Sequence, residues 1–127
     1  MLIEKYPDTR IDTEKELKEL LSKLDIEGYP DVYALCESTL KDVMKSGNLD
    51  ALFAPGIVRK LKNNKTYKIF EFRIPPKRRG GVLRIYFCYK SEDNSKIIIL
   101  GSEFKKEVSS NSEKIKQAKK RYNDINK

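Results

Sequence analysis

The hydrophobic patterning predicts an α+β fold, a small antiparallel sheet with helices packed on it. Three observations carry this. Apolar residues recur at helical spacing in the first part of the chain, alternate with a period of two from Tyr67 to Tyr89, and return to helical spacing after Ser112. The 127 residues suit one core rather than two, so the chain reads as a single domain, 1–127. Its parts are a helical region, 13–46, a β-meander, 67–100, and a C-terminal helix, 112–125. The helices are expected on one face of the sheet.

Thr13 followed by Glu16 has the form of a capping box, and Leu17, Leu20, Leu21 and Leu24 then share a stripe, which predicts a helix over 13–25. The EGYPD stretch ends it. A second helix over 31–46 carries Val32, Leu35, Cys36, Leu40, Val43 and Met44 on one face and stops at Gly47. Residues 48–62, interrupted by Pro55-Gly56, read as a short helical turn and a connector. In 67–74, Phe70, Phe72 and Ile74 fall on one face and Ile69, Glu71 and Arg73 on the other. In 82–89, Leu83, Ile85, Phe87 and Tyr89 oppose Val82, Arg84, Tyr86 and Cys88. A linker holding Pro75, Pro76, Gly80 and Gly81 separates these runs. SEDNS, 91–95, is a polar turn, and the aliphatic run 96–100 is a strand buried on both sides. Ser112 caps the last helix, whose Ile115, Ala118, Tyr122 and Ile125 form the apolar stripe.

The net charge of +8 is unevenly spread: residues 1–58 carry −5, 59–90 carry +10, 91–104 carry −2 and 105–127 carry +5. The basic excess therefore lies on the strands and the last helix. A polyanionic partner follows, because phosphate neutralisation with counterion release supplies most non-specific nucleic-acid affinity. There is no histidine, so the commonest general base and zinc ligand are missing and catalysis must rest on Lys, Arg, Tyr, Glu or Asp. Cys36 and Cys88 sit in apolar runs without metal-ligand spacing and are expected as reduced core cysteines. No run approaches the ~20 apolar residues of a bilayer span, and the N-terminus has no signal-peptide core. A cytoplasmic protein without membrane contact is expected.

With the aromatic and aliphatic sets turned to the helices, Glu71, Arg73, Arg84 and Tyr86 converge on the opposite face, joined by Lys105 and Lys106 from the end of the third strand. Such a cluster suits phosphodiester cleavage of RNA. The 2′-hydroxyl must lose a proton, the phosphorane gathers negative charge, and the 5′-oxygen must be protonated or stabilised. Arginines bind phosphate bidentately and stabilise the developing charge, while a lysine or glutamate takes the proton. No metal or other cofactor is expected. Lys60, Lys68, the linker residues Lys77, Arg78 and Arg79, and Arg121 are candidate RNA contacts. A structural alternative stands beside this reading: Glu71 and Arg73 as a surface pair, Arg84 satisfying Glu71 across the hairpin, and Tyr86 as a half-buried aromatic.

The order of these motifs resembles a known family. Glu71-Phe72-Arg73 is followed by Arg84 in LRIYF, then IIIL leads to Phe104-Lys105-Lys106 and to a helix with Ala118 and Arg121 in AKKRYND. With two leading helices and the Lys60-Leu61 step, this is similar to the RelE superfamily of toxins from bacterial toxin–antitoxin systems, in its HigB-like, phage-derived branch. The resemblance implies a metal-independent endonuclease that cuts mRNA in the ribosomal A site and is held inactive by an antitoxin, often a helix-turn-helix protein. By position it makes Arg84 the arginine on the scissile phosphate. It makes Lys106, with Lys105, the basic position after the last strand, and Glu71 and Arg73 the Glu-x-Arg pair. The chain departs from RelE at Ile69 and Glu71, where basic residues are usual, and at Ser112, near the place of the family's catalytic tyrosine. HigB-type histidines are also absent. Two other functions fit the same residues: a ParE-like gyrase inhibitor without catalysis, and a phage-derived RNA-binding module without toxicity.

Overall fold

The computed structural model describes residues 2–26, 56–61, 68–74, 82–90, 93–105 and 112–126, together with Ala34, Ser38, Thr39, Lys41, Asp42 and Lys45, all six helical. Five strands, β1 (Leu2–Glu4), β2 (Val58–Lys60), β3 (Phe70–Ile74), β4 (Val82–Lys90) and β5 (Asp93–Lys105), form one sheet. Helices α1 (Thr13–Ile26) and α2 (Glu113–Ile125) pack against it. The strand order is β1-β5-β4-β3-β2, with β1 parallel to β5 and every other pair antiparallel.

The expected meander is present as β3-β4-β5, and the sheet is larger and mixed. Two three-residue edge strands were not expected, and 58–60 is a strand rather than part of a connector. Segments this short show no period of their own; they become strands by pairing with a neighbour already formed. β5 is also longer than the run 96–100, because part of the supposed SEDNS turn belongs to it. The expected helical turn after residue 48 and most of the expected second helix lie outside the described residues.

The alternation sorts the side chains as the sequence predicts. Phe72, Ile74, Leu83, Ile85 and Phe87 join Ile97, Ile99 and Leu17 and Leu21 of α1 in one core. Phe87 stacks on Phe72 with ring centroids 4.5 Å apart and planes 21° from parallel, a contact that adds to the area buried. The other side of the sheet has its own core: Ile69, Tyr86, Cys88, Ile98 and Leu100 under Ile115 and Ala118 of α2, with Tyr6. The helices therefore cover both faces rather than one. The aliphatic run is the physical reason, since Ile98 and Leu100 give the second face apolar surface that water would otherwise meet.

A bulge in β5 completes the arrangement. Tyr86 lies opposite Gly101 but Phe87 lies opposite Ile99, so Leu100 has no partner on β4. The extra residue reverses the parity of the strand beyond it. Glu103 and Lys105 are thereby placed opposite Arg84 and Val82, on the α2 side. The carbonyl of Leu100 accepts a hydrogen bond from Arg121 Nη1 at 2.9 Å.

The caps differ in how they match expectation. Ser112 caps α2, its hydroxyl accepting from the Ile115 amide at 3.1 Å. In α1 the cap is Asp12, whose carboxylate accepts from the Lys15 amide at 3.0 Å, rather than Thr13. Glu16 is thus released from the predicted capping box and pairs with Arg121 instead. Among the described residues no helix is long and apolar enough to cross a membrane.

Candidate active site

The α2 side of the sheet beyond its apolar half carries a lattice of charge set by strand register. Arg59 of β2 lies opposite Glu71 of β3, and Glu71 lies opposite Tyr86 of β4. One level along, Arg73, Arg84 and Glu103 stand side by side on β3, β4 and β5. Lys105 follows, opposite Val82. Neighbouring side chains on one face of paired strands come within direct reach of one another.

Glu71 is the centre of this lattice and is fully buried. Its Oε1 accepts from Arg59 Nε at 2.6 Å and lies 3.8 Å from Arg73 Nε. Its Oε2 accepts from Arg84 Nη1 at 3.4 Å. Among the described residues three guanidinium groups thus share this carboxylate, an excess of two positive charges. The Nε atoms of Arg73 and Arg84 are buried and have no hydrogen-bond acceptor among the described residues. Burial, with Arg59 and Arg84 close by, pushes the Arg73 pKa down. Each of these features leaves donors and charge that an anion can take up.

A second carboxylate, Glu103, organises the other end. Its Oε2 accepts from the Tyr86 hydroxyl at 2.7 Å and from the Ser112 hydroxyl at 2.6 Å, with Lys105 Nζ 4.0 Å away. Burial, reinforced by the bond to Glu103, pushes the Tyr86 phenol pKa well up. The phenol therefore stays protonated and serves as a donor, not as a base. Burial likewise raises the Cys88 thiol to about 11, and Cys88 is a free, inert core cysteine.

The predicted residues divide clearly. Glu71, Arg73, Arg84, Tyr86 and Lys105 are brought together, and Arg84 does satisfy Glu71 across the hairpin, as the structural alternative had it. Arg84, Tyr86 and Glu71 are all buried, so the accessible side chains of the cluster are Arg59, Arg73 and Glu103, at 36%, 20% and 13% exposure. Lys60 is exposed but occupies the register position of Phe70, on the α1 side, and Lys68 is exposed just before β3. Arg121 is not placed as a surface RNA contact. Its guanidinium is 8% exposed, donates to both oxygens of Glu16 at 2.9 and 3.0 Å, and ties α2 to α1. Lys77, Arg78, Arg79 and Lys106 lie outside the described residues.

Arg59, Glu103 and Ser112 belong to this cluster and were not among the residues the sequence singled out for it. Arg59 stands at the start of the basic stretch, but only its pairing with β3 reveals its face. Glu103 is hidden by the bulge, because simple alternation from Ile97 puts it on the wrong side. A larger cleft of about 620 Å³ lies between the 8–11 turn and α2, where acids and bases interleave, Asp8 and Arg10 against Lys116 and Lys120. It does not include the arginine cluster. Comparison with protein-family models, with curated proteins and with solved structures gave no match.

Proposed function

We propose that this chain is the toxin of a type II toxin–antitoxin pair, a RelE-like, HigB-branch endonuclease that cleaves mRNA in the ribosomal A site without a metal. The observation that supports it best is the triad of guanidinium groups around Glu71, with two buried Nε donors left over. Buried cationic excess on a rigid sheet favours a ligand that supplies phosphate oxygens. The same groups stabilise the extra negative charge of a pentavalent phosphorane, which is where preorganised donors act most strongly. The +10 charge of residues 59–90 favours a polyanion such as RNA at long range. The partner that silences it is a cognate antitoxin, of helix-turn-helix type by the resemblance.

In this reading Glu71 holds the arginines in position, Arg73 and Arg59 meet the incoming phosphate at the rim, and Arg84 backs the scissile group. Arg84→Lys keeps the charge but loses the planar fork, and toxicity on expression should fall steeply while the fold is retained. Primer extension on translated mRNA decides the mechanism. Cuts within codons that vanish in Arg84→Lys and Arg73→Ala support the endonuclease. Growth arrest without cuts, together with inhibition of gyrase supercoiling, points to the ParE-like alternative. Salt-sensitive RNA binding with neither effect points to a binding module without toxicity.

A further inference from the structure

We propose that Glu103 is a catalytic residue of this face, the group that takes the 2′-hydroxyl proton in RNA cleavage; the assignment rests on the endonuclease reading. Two carboxylates share the lattice, and only one is built to receive a proton. Both oxygens of Glu71 already face guanidinium groups, and the side chain is wholly enclosed. A substrate proton has no vacant oxygen to reach there.

Glu103 differs on each count. Its contacts with Tyr86, Ser112 and Lys105 all converge on Oε2. Oε1 takes no hydrogen bond among the described residues. The side chain reaches solvent and borders a cleft of about 270 Å³ shared with Lys23 of α1 and Lys114 of α2. It stands beside Arg84 on the neighbouring strand. Side chains so paired have Cβ atoms ~5 Å apart, a spacing that sets a proton acceptor next to a phosphate-binding group.

The two hydroxyls are positioning groups. Tyr86 cannot compete for the proton, because its phenol is held protonated by burial and by its bond to Glu103. Ser112 is itself fixed as the cap of α2, accepting from the Ile115 amide while donating to Glu103. One oxygen is thus pinned from two directions and the other is presented. In the step, the 2′-hydroxyl proton moves to Oε1 as the O2′–P bond forms. The P–O5′ bond breaks and O5′ takes a proton from water. The hydroxide so formed recovers the proton from Glu103. The products are a 2′,3′-cyclic phosphate and a 5′-hydroxyl end, with no oxidation or reduction.

The test compares Glu103→Gln, Ser112→Ala and the parent in single-turnover cleavage of ribosome-bound mRNA. Affinity is measured with an mRNA whose scissile ribose is 2′-deoxy and cannot be cut. Glu103→Gln is expected to bind within about twofold of the parent and to cleave ~10²–10⁴-fold more slowly. Ser112→Ala, which keeps the carboxylate and loses one positioning bond, is expected to cleave only about tenfold more slowly. Parental cleavage by Glu103→Gln overturns the assignment. So does an equal loss of rate and of melting temperature in both variants, which would make Glu103 a tie for α2 alone. If the parent itself leaves mRNA intact, the endonuclease reading fails and the Glu103 assignment falls with it.

Discussion

Phe72 and Glu71 are neighbours on β3, both buried, yet one meets stacked rings and the other meets three guanidinium groups. The α1 side of the sheet is a conventional apolar core that gains stability by removing carbon from water. On the α2 side, the outer part buries charge, where desolvation offsets most of the Coulomb attraction. A hydrophobic isostere there would stabilise the protein as well or better. Stability alone explains the first face, while the second is the one on which the proposed function rests.

Substitutions test that contrast, beginning with the largest expected loss. Phe87→Ala removes the ring that stacks on Phe72 and touches Phe70 and Tyr89, and should lower unfolding free energy by about 4 kcal/mol. Denaturant titration at low and high salt should give the same loss. Glu71→Ala leaves Arg59, Arg73 and Arg84 without their shared carboxylate, a loss of about 3 kcal/mol. Here the loss should shrink when sulfate is added, because an anion can replace the carboxylate. Equal salt responses for the two variants would erase the distinction between the faces.

Arg121→Met breaks the bidentate tie to Glu16 and the bond to the Leu100 carbonyl, and should cost about 2 kcal/mol, discounted for the exposure of Glu16. RNA affinity should be unchanged if Arg121 is structural. A smaller effect is alkaline. The Cys88 thiol pKa is raised from 9.0 to about 11 in the folded state, so the unfolded chain loses its proton first. Its contribution is fully present below pH 9.0 and is lost as pH rises through about 11. Cys88→Val should flatten that part of the stability profile. The smallest effect is at Asp8, whose carboxyl is held down to about 2 by its hydrogen bonds from Arg10. Any stability from that exposed pair is present above pH 3.8 and disappears as pH falls through about 2, and Asp8→Asn should leave the melting temperature at pH 7 unchanged.

Much of this was legible in the sequence. The alternation of FEFRI and VLRIYF separates the two faces, and IIIL reads correctly as buried on both sides. What escaped depends on contacts between distant residues. Leu2–Glu4 and Val58–Lys60 are too short to announce themselves, and their strand character comes from β5 and β3. The pairing of Glu16 with Arg121 joins residues 105 positions apart, which no local pattern encodes. Glu103 was lost to a single inserted residue, since one bulge exchanges inside and outside for everything after it. The cluster of Glu71, Arg73, Arg84 and Tyr86 was foreseen, but not the full burial of Glu71 and Arg84, nor that this face would carry α2 as well.

The parallel pairing of β1 with β5 bears on how the chain folds. Ile3 rests opposite Ile97, so this ladder closes across most of the chain, whereas β3, β4 and β5 pair with near neighbours. Contacts of long sequence separation carry the largest loop-closure entropy and form late. The meander is then expected to form early and β1 to dock last. Until it does, Lys96, Ile97 and Ile98 present an unpaired edge, and a second copy at that stage is offered the same hydrogen bonds that β1 will later take.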